Sequence, residues 1–227
     1  MPERKKYAVI VAGGKGQRMG SAVPKQFLPL LDKPILYWTL IAFLEAYADM
    51  HIILVLPADE TSYAQMVLAQ FPERTDIEIV NGGETRFYSV QNGLKHVAEN
   101  SVVFIHDGVR PLVSVDLIHC CYEQALQKGS AIPAIAVTDS MRIAGGDDTK
   151  PVDREQLRII QTPQTFLSEI ILPAFQQPYQ ESFTDEATVV EAFGTKVFLI
   201  NGERANIKVT TPEDMLIAEA LLKNEQK

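Results

Sequence analysis

A chain of 227 residues, 46% of them hydrophobic, is long enough to bury one sizeable core, and α/β chains of this length commonly form one domain. Its 21 lysines and arginines against 29 aspartates and glutamates leave a net charge of −8, which argues against non-specific nucleic-acid binding. No apolar run approaches the roughly 18 residues of a membrane span, so the reading is a soluble protein whose phosphate ligands, if any, need local clusters of Lys and Arg.

Residues 1–6 are charged and lead straight into the apolar run Tyr7–Val11, too short for a secretory signal and read as a buried strand over Ala8–Val11. A helix-like stretch follows at Ile35–Ala46, then a strand at Ile52–Leu56, a helix at Thr61–Gln70 and a strand at Ile77–Val80. Ser89–Ala98 reads as a helix, Val102–His106 as a strand, Val115–Gln127 as a helix and Ala131–Ala136 as a strand. Late in the chain come a helix at Glu186–Phe193 and a strand at Val197–Ile200. The final helix is well marked: Thr211 as N-cap, Pro212 at its first position, Glu213 and Asp214 toward the positive end of the dipole, then Met215–Leu222. Val- and Ile-rich strands alternating with helices predict a Rossmann-like α/β/α fold, three layers around a mostly parallel sheet, with residues 1–227 as a single domain. Cys120 and Cys121 are neighbours on a helix and point apart, so they read as two reduced thiols of a cytoplasmic protein.

Residues 137–160 break the alternation. Their turn-rich centre is Gly145–Pro151, and the flanks Ser140–Ala144 and Leu157–Ile160 look like two strands of a long hairpin. The expectation is a protruding arm, suited to dimer contacts or else a solvated surface loop.

Ligands of open α/β sheets bind beyond the carboxyl ends of the strands. The first strand ends in Ala12-Gly13-Gly14-Lys15-Gly16-Gln17-Arg18-Met19-Gly20, with Pro24-Lys25-Gln26-Phe27 shortly after. Glycines let backbone amides crowd a phosphate chain, and Arg18 and Lys25 add full charges to that cradle. The P-loop spacing is absent. A dinucleotide fingerprint would need its third glycine one residue earlier, and Asp32, at the distance of a ribose acid, sits in a turn. A bare tight turn needs neither Arg-Met nor Pro-Lys.

The run AGGKGQRMGSAVPKQFLPL resembles the signature loop of nucleotidyltransferases that activate sugars and polyols. Gly82-Gly83-Glu84-Thr85-Arg86, Ser89, His106-Asp107-Gly108-Val109-Arg110-Pro111, Val152-Asp153-Arg154, Gln161-Thr162-Pro163-Gln164, Thr184-Asp185-Glu186-Ala187 and Asn206-Ile207-Lys208-Val209-Thr210 follow in order. Together these motifs resemble the 2-C-methyl-D-erythritol 4-phosphate cytidylyltransferase family of the non-mevalonate isoprenoid pathway, over nearly the whole chain. The resemblance implies transfer of CMP from CTP to a small polyol phosphate by direct attack of the substrate phosphate, a nucleotidyltransferase fold, and a homodimer.

That chemistry calls for preorganised cations around the phosphates. Lys25 is expected at the α-phosphate and Arg18 at the departing β- and γ-phosphates, with Mg²⁺ bridging the triphosphate and its protein ligands left open. Ala12, Gly13, Gly14, Gly16, Gly83, Glu84, Ser89, Asp107 and Gly108 are the candidate nucleotide-binding positions. Asp107 also belongs to the acceptor side, with Arg110, Ser140, Arg154, Thr184 and Lys208; the resemblance gives Arg154 and Lys208 a catalytic part and carries Ser140 and Arg154 into the partner subunit's site. Where Ser140 stands the family has threonine; it often has alanine at Gly108 and aspartate at Glu84. His106 invites a general-base reading, but its strand neighbour Asp107 faces the other way, which favours a structural histidine. A ribitol-5-phosphate cytidylyltransferase and a non-catalytic nucleotide-binding module are the rival readings.

Overall fold

The computed structural model describes residues 4–14, 23–71, 76–146 and 148–225. The first half runs β1 (Lys5–Val11), β2 (Pro29–Leu30), β3 (Lys33–Pro34), α1 (Ile35–Ala46), β4 (Met50–Leu56), α2 (Thr61–Leu68), β5 (Ile77–Asn81) and α3 (Arg86–Leu94). Then come β6 (Ser101–Asp107), α4 (Val115–Lys128), β7 (Ser130–Ala136), β8 (Met141–Gly145), β9 (Asp148–Val152), β10 (Arg158–Ile160) and β11 (Gln164–Leu167). The chain finishes with α5 (Ser168–Ala174), α6 (Glu186–Ala192), β12 (Leu199–Asn201) and α7 (Pro212–Glu225).

Among these residues eight strands form one sheet in the order β10-β7-β11-β6-β1-β4-β5, with β12 also paired to β7. The strands β6, β1, β4 and β5 are mutually parallel, while β11 is wedged antiparallel between β6 and β7. The expected mostly parallel α/β architecture is what the chain adopts. Strand alternation decides the layers. Ala8 and Ile10 join Leu36, Leu40, Phe43 and Leu117 on one face, whereas Val9, Ile53, Val55 and Ile105 join Val90, Leu94 and Phe175 on the other. Both faces of β1 are thus dry, which is why it reads as an unbroken apolar run. A third cluster, Leu30, Ile35, Val109, Leu112, Val209, Ala218 and Leu222, holds α7 over the β2–β3 corner.

Three readings change. The helix read from Ser89 begins at Arg86, because Thr85 caps it by accepting from the Tyr88 amide at 3.4 Å. Gly93 then lets α3 lie close on the sheet: a Cβ there would stand 2.7 Å from Val9 Cγ1 and 2.9 Å from Val55 Cγ2. The arm is also shorter than expected. β8 pairs with β9, from Met141↔Val152 to Gly145↔Asp148, and Gly146 turns the chain at φ +60. The run Leu157–Ile160 is no arm strand: β10 pairs with β7 in the main sheet. Its apolar residues satisfy a sheet edge, while the ribbon's Pro151 is tolerated in a two-stranded ribbon that has only edges. The ribbon is exposed, with Ile143 at 63%. Finally, the strand β11 and the helix α5 were not anticipated. No helix among the described residues is long and apolar enough to cross a membrane.

Candidate active site

The order β5-β4-β1-β6 places the ends of β1 and β6 side by side, with Val11 paired to Asp107. The chain leaves these two strands in different directions, and the crevice where it does so is the ligand position of open α/β sheets. A cavity of about 280 Å³ opens there.

One wall comes from the end of β1 and the turn before α3. Ala12, Gly13 and Gly14 line it, facing Gly83, Glu84, Thr85 and Ser89. The Ala12 amide is committed to Val55 O at 2.9 Å, and its carbonyl accepts Gln26 Nε2 at 2.6 Å. The Ser89 hydroxyl accepts from the Gly83 amide at 3.1 Å and donates to Thr85 O at 3.0 Å. The serine therefore closes the Gly83 turn onto α3. Gly83 has a steric reason beyond room for a ligand: a Cβ would fall 2.4 Å from Tyr88 Cβ and 3.0 Å from the Tyr88 carbonyl carbon. Backbone cannot yield there, so glycine is required.

Lys25 reaches the cavity from the short 3-10 turn Lys25–Phe27, which follows Pro24. Its Nζ donates to Val209 O at 3.4 Å, and its stem passes Gly14, where a Cβ would lie 3.6 Å from Lys25 Cε. Gln26 beside it is 0% exposed, bonded to Ala12 O and to Glu60, with its Oε1 unpartnered. Sequence reasoning had given Gln26 no part. Gly16 and Arg18 lie outside the described residues.

Asp107 is the electrostatic centre. Its Oδ2 meets Lys208 Nζ at 3.0 Å and Arg110 Nε at 3.5 Å, and its Oδ1 meets Arg86 Nη2 at 3.3 Å. Burial works against its charge, yet Arg86, Lys208 and Arg110 together hold the carboxyl well below the usual carboxylate range. Arg110 is 8% exposed and donates to Asn206 O at 2.8 Å. It stands behind Asp107 and outside the cavity lining, as does Gly108, whose amide donates to Val11 O at 2.9 Å.

His106 faces away from the cavity. It is fully buried, edge-on to Phe43. Its Nε2 lies 3.2 Å from Arg110 O, and a carbonyl only accepts, so Nε2 carries the proton. Thr162 Oγ1 accepts from the Asp107 amide at 3.1 Å and lies 3.0 Å from Nδ1, to which its hydroxyl donates. The histidine is thus a neutral pin joining the Asp107–Arg110 turn to Thr162, and burial lowers its pKa to about 3 despite the Asp107 charge. A value below that of the unfolded chain means that stability is complete above pH ~6.5 and declines as the pH falls toward the folded value. Relative to His106→Gln, the protein is expected to lose up to about 1.4 kcal/mol of unfolding free energy per pH unit below that point, read from urea melts between pH 7 and 4.5. Parallel curves for the two proteins would contradict this account.

Ser140, Arg154 and Thr184 are exposed and do not line this cavity. Arg154 donates to Thr138 O at 2.7 Å, beside the ribbon. Arg86 does line the cavity and was given no role from sequence, although its motif was recognised.

Residues 7–224 match the family model for 2-C-methyl-D-erythritol 4-phosphate cytidylyltransferase, IspD. The enzyme of that name from Phocaeicola vulgatus is 46% identical over 217 residues, 96% of this chain and 99% of its own. The Porphyromonas gingivalis counterpart is 46% identical over 221 residues, 97% and 99% of the two chains. Among solved structures, the 4-diphosphocytidyl-2C-methyl-D-erythritol synthase of Anaerococcus prevotii superposes with a TM-score of 0.82 at 28% identity, covering 97% of this chain and 99% of that one.

Proposed function

The chain belongs to the 2-C-methyl-D-erythritol 4-phosphate cytidylyltransferase family, and we propose that the cavity at the ends of β1 and β6 is where its reaction occurs. CTP and 2-C-methyl-D-erythritol 4-phosphate give 4-diphosphocytidyl-2-C-methyl-D-erythritol and pyrophosphate. A phosphate oxygen of the acceptor attacks the α-phosphorus of CTP in line, as the bond to the β-phosphate's bridging oxygen breaks. That oxygen is already an anion at neutral pH, so the step needs no general base.

The observation that carries this reading is the convergence of Lys25, Asp107 and Lys208 on one glycine-walled cavity. In it, Ala12, Gly13, Gly83 and Ser89 flank the base, and Glu84 and Gly14 lie near the ribose and phosphates. Lys25 stabilises charge growing on the α-phosphate oxygens, with Arg18 on the departing pyrophosphate. Lys208, held by Asp107 and backed by Arg110, receives the acceptor phosphate. Ser140 and Arg154 complete that site from a partner subunit's arm, with Thr184 as a further hydroxyl donor; their exposure on and beside the ribbon suits such a role.

Mg²⁺ carried with CTP belongs to the same proposal. Among the described residues Glu84 and Asp107 are the carboxylates lining the cavity, and no three-residue group of metal-binding side chains stands together. Mg²⁺ keeps several waters and takes one or two carboxylates beside phosphate oxygens, so this sparse donor set fits it. When bound, the ion neutralises charge spread over the triphosphate.

Pyrophosphate release measured across the four common nucleoside triphosphates, with methylerythritol phosphate or ribitol 5-phosphate as acceptor, tests the whole reading. The expected result is turnover with CTP and methylerythritol phosphate alone. Preference for UTP or ATP would overturn the cytidylyl assignment, and preference for ribitol phosphate the acceptor.

A further inference from the structure

Arg86 and Glu186 are 100 residues apart in sequence, each at the first position of its helix, and they meet beside Asp107. Glu186 is only 1% exposed. It takes the guanidinium in a forked pair: Nη1 donates to Oε1, and Nη2 to Oε2 at 3.2 Å. The other edge of the same guanidinium faces Asp107, with Nε 3.4 Å and Nη2 3.3 Å from Oδ1. The helix bearing Glu186 is itself fixed: Asp185 caps it, and Gln164 bonds both Asp185 Oδ2 at 2.9 Å and the Ala187 amide at 2.8 Å.

Arg86 thus touches one oxygen of Asp107, while Lys208 and Arg110 touch the other. We propose that Arg86, locked by Glu186, is a positioning residue that fixes the rotation of the Asp107 carboxylate and keeps Oδ2 for Lys208. The claim rests on the reading of Asp107 and Lys208 as acceptor-side groups. A planar guanidinium is needed because it addresses two carboxylates through two edges, which a lysine point charge does not. Glu186 also cancels the Arg86 charge, so that Asp107 is not drawn wholly to Arg86. A buried ion pair is weak evidence for stability, since apolar residues of equal volume serve as well, and geometry is the better reason to keep one.

Glu186→Gln preserves shape but not charge, and Arg86→Lys preserves charge but not the fork. Each is expected to lower kcat by about 10–30-fold, the scale of a small misplacement of reacting groups, with the CTP KM changed less than about 3-fold. Because both act through one link, Glu186→Gln placed in the Arg86→Lys background should add less than about 2-fold. Rates are normalised to folded protein by circular dichroism, so lost stability does not imitate the effect. If Glu186→Gln does not fold, Arg86→Lys decides alone. Native kcat in the folded variants, or losses that multiply in the double variant, overturns the proposal. Asp107→Asn separates the two levels. If it is slow while Arg86→Lys and Glu186→Gln are fast, only the positioning claim fails; if it too is fast, the reading of Asp107 fails beneath it.

Discussion

Lys25→Ala is expected to lower kcat by about 10³-fold, ~4 kcal/mol of transition-state stabilisation, while leaving the fold in place. The argument starts from where charge develops. The ground-state triphosphate is already anionic, but the non-bridging oxygens at the α-phosphorus and the leaving oxygen gain charge only as the bond breaks. A cation preset against the glycine turn stabilises that change without reorganising, so its loss falls on kcat more than on the KM for CTP. Lys25 is 8% exposed, and its ammonium is tethered to Val209 O, which fixes its reach. The fold should survive because the turn is held by its backbone, with Phe27 N donating to Pro24 O at 2.9 Å and Leu28 N to Lys25 O at 3.1 Å, neither of which needs the side chain. Steady-state pyrophosphate release and far-ultraviolet circular dichroism check the two halves. A folded variant keeping a tenth of native kcat would remove Lys25 from the chemistry.

What the sequence made legible divides along a physical line. The central strands announced themselves because both their faces are dry, so Tyr7–Val11 and Val102–His106 read as apolar runs. Gln164–Leu167 did not, since QTFL has four residues and no alternation. Only its insertion between β6 and β7 makes it a strand. The helix α5 was missed for a similar reason: it is one short piece with Pro173 inside it. In the site, Asp107 and Lys25 were legible as charges at a strand end and close after a glycine turn, and Lys208 through the motif that carries it. Arg86 was not, although its motif was seen, because its task depends on Glu186 a hundred residues away. No local pattern encodes that pairing. Gly83 reads from the sequence as a nucleotide-binding position, whereas its nearer constraint is Tyr88. Ser140 and Arg154 were named through their motifs, and both lie exposed outside the cavity lining.

Asp107→Asn should be the most damaging single change outside the nucleotide loop, costing about 3 kcal/mol of stability and at least about 100-fold in kcat/KM. The carboxylate is 7% exposed and is shared by Arg86, Arg110 and Lys208. An amide keeps the shape but removes the shared charge that binds these groups to one another. Arg86 retains Glu186, yet Arg110 keeps just its bond to Asn206 O among neighbours of like sign. Whichever way the amide turns, its NH₂ faces a cation, so a repulsive contact replaces an attractive one. Lys208, 43% exposed, then moves into solvent, and the acceptor phosphate loses its fixed partner. The dependence on pH has a defined sign. Asp107 titrates below its unfolded value, so its contribution is complete above about pH 4 and disappears as acid protonates the folded carboxyl. The stability gap between the native protein and Asp107→Asn should therefore be constant from pH 7 to 5 and should close only in stronger acid. Urea unfolding across that range, with kcat/KM for methylerythritol phosphate at pH 7, measures both effects. A gap below about 0.5 kcal/mol with activity intact would mean that the three cations stay ordered without their shared anion.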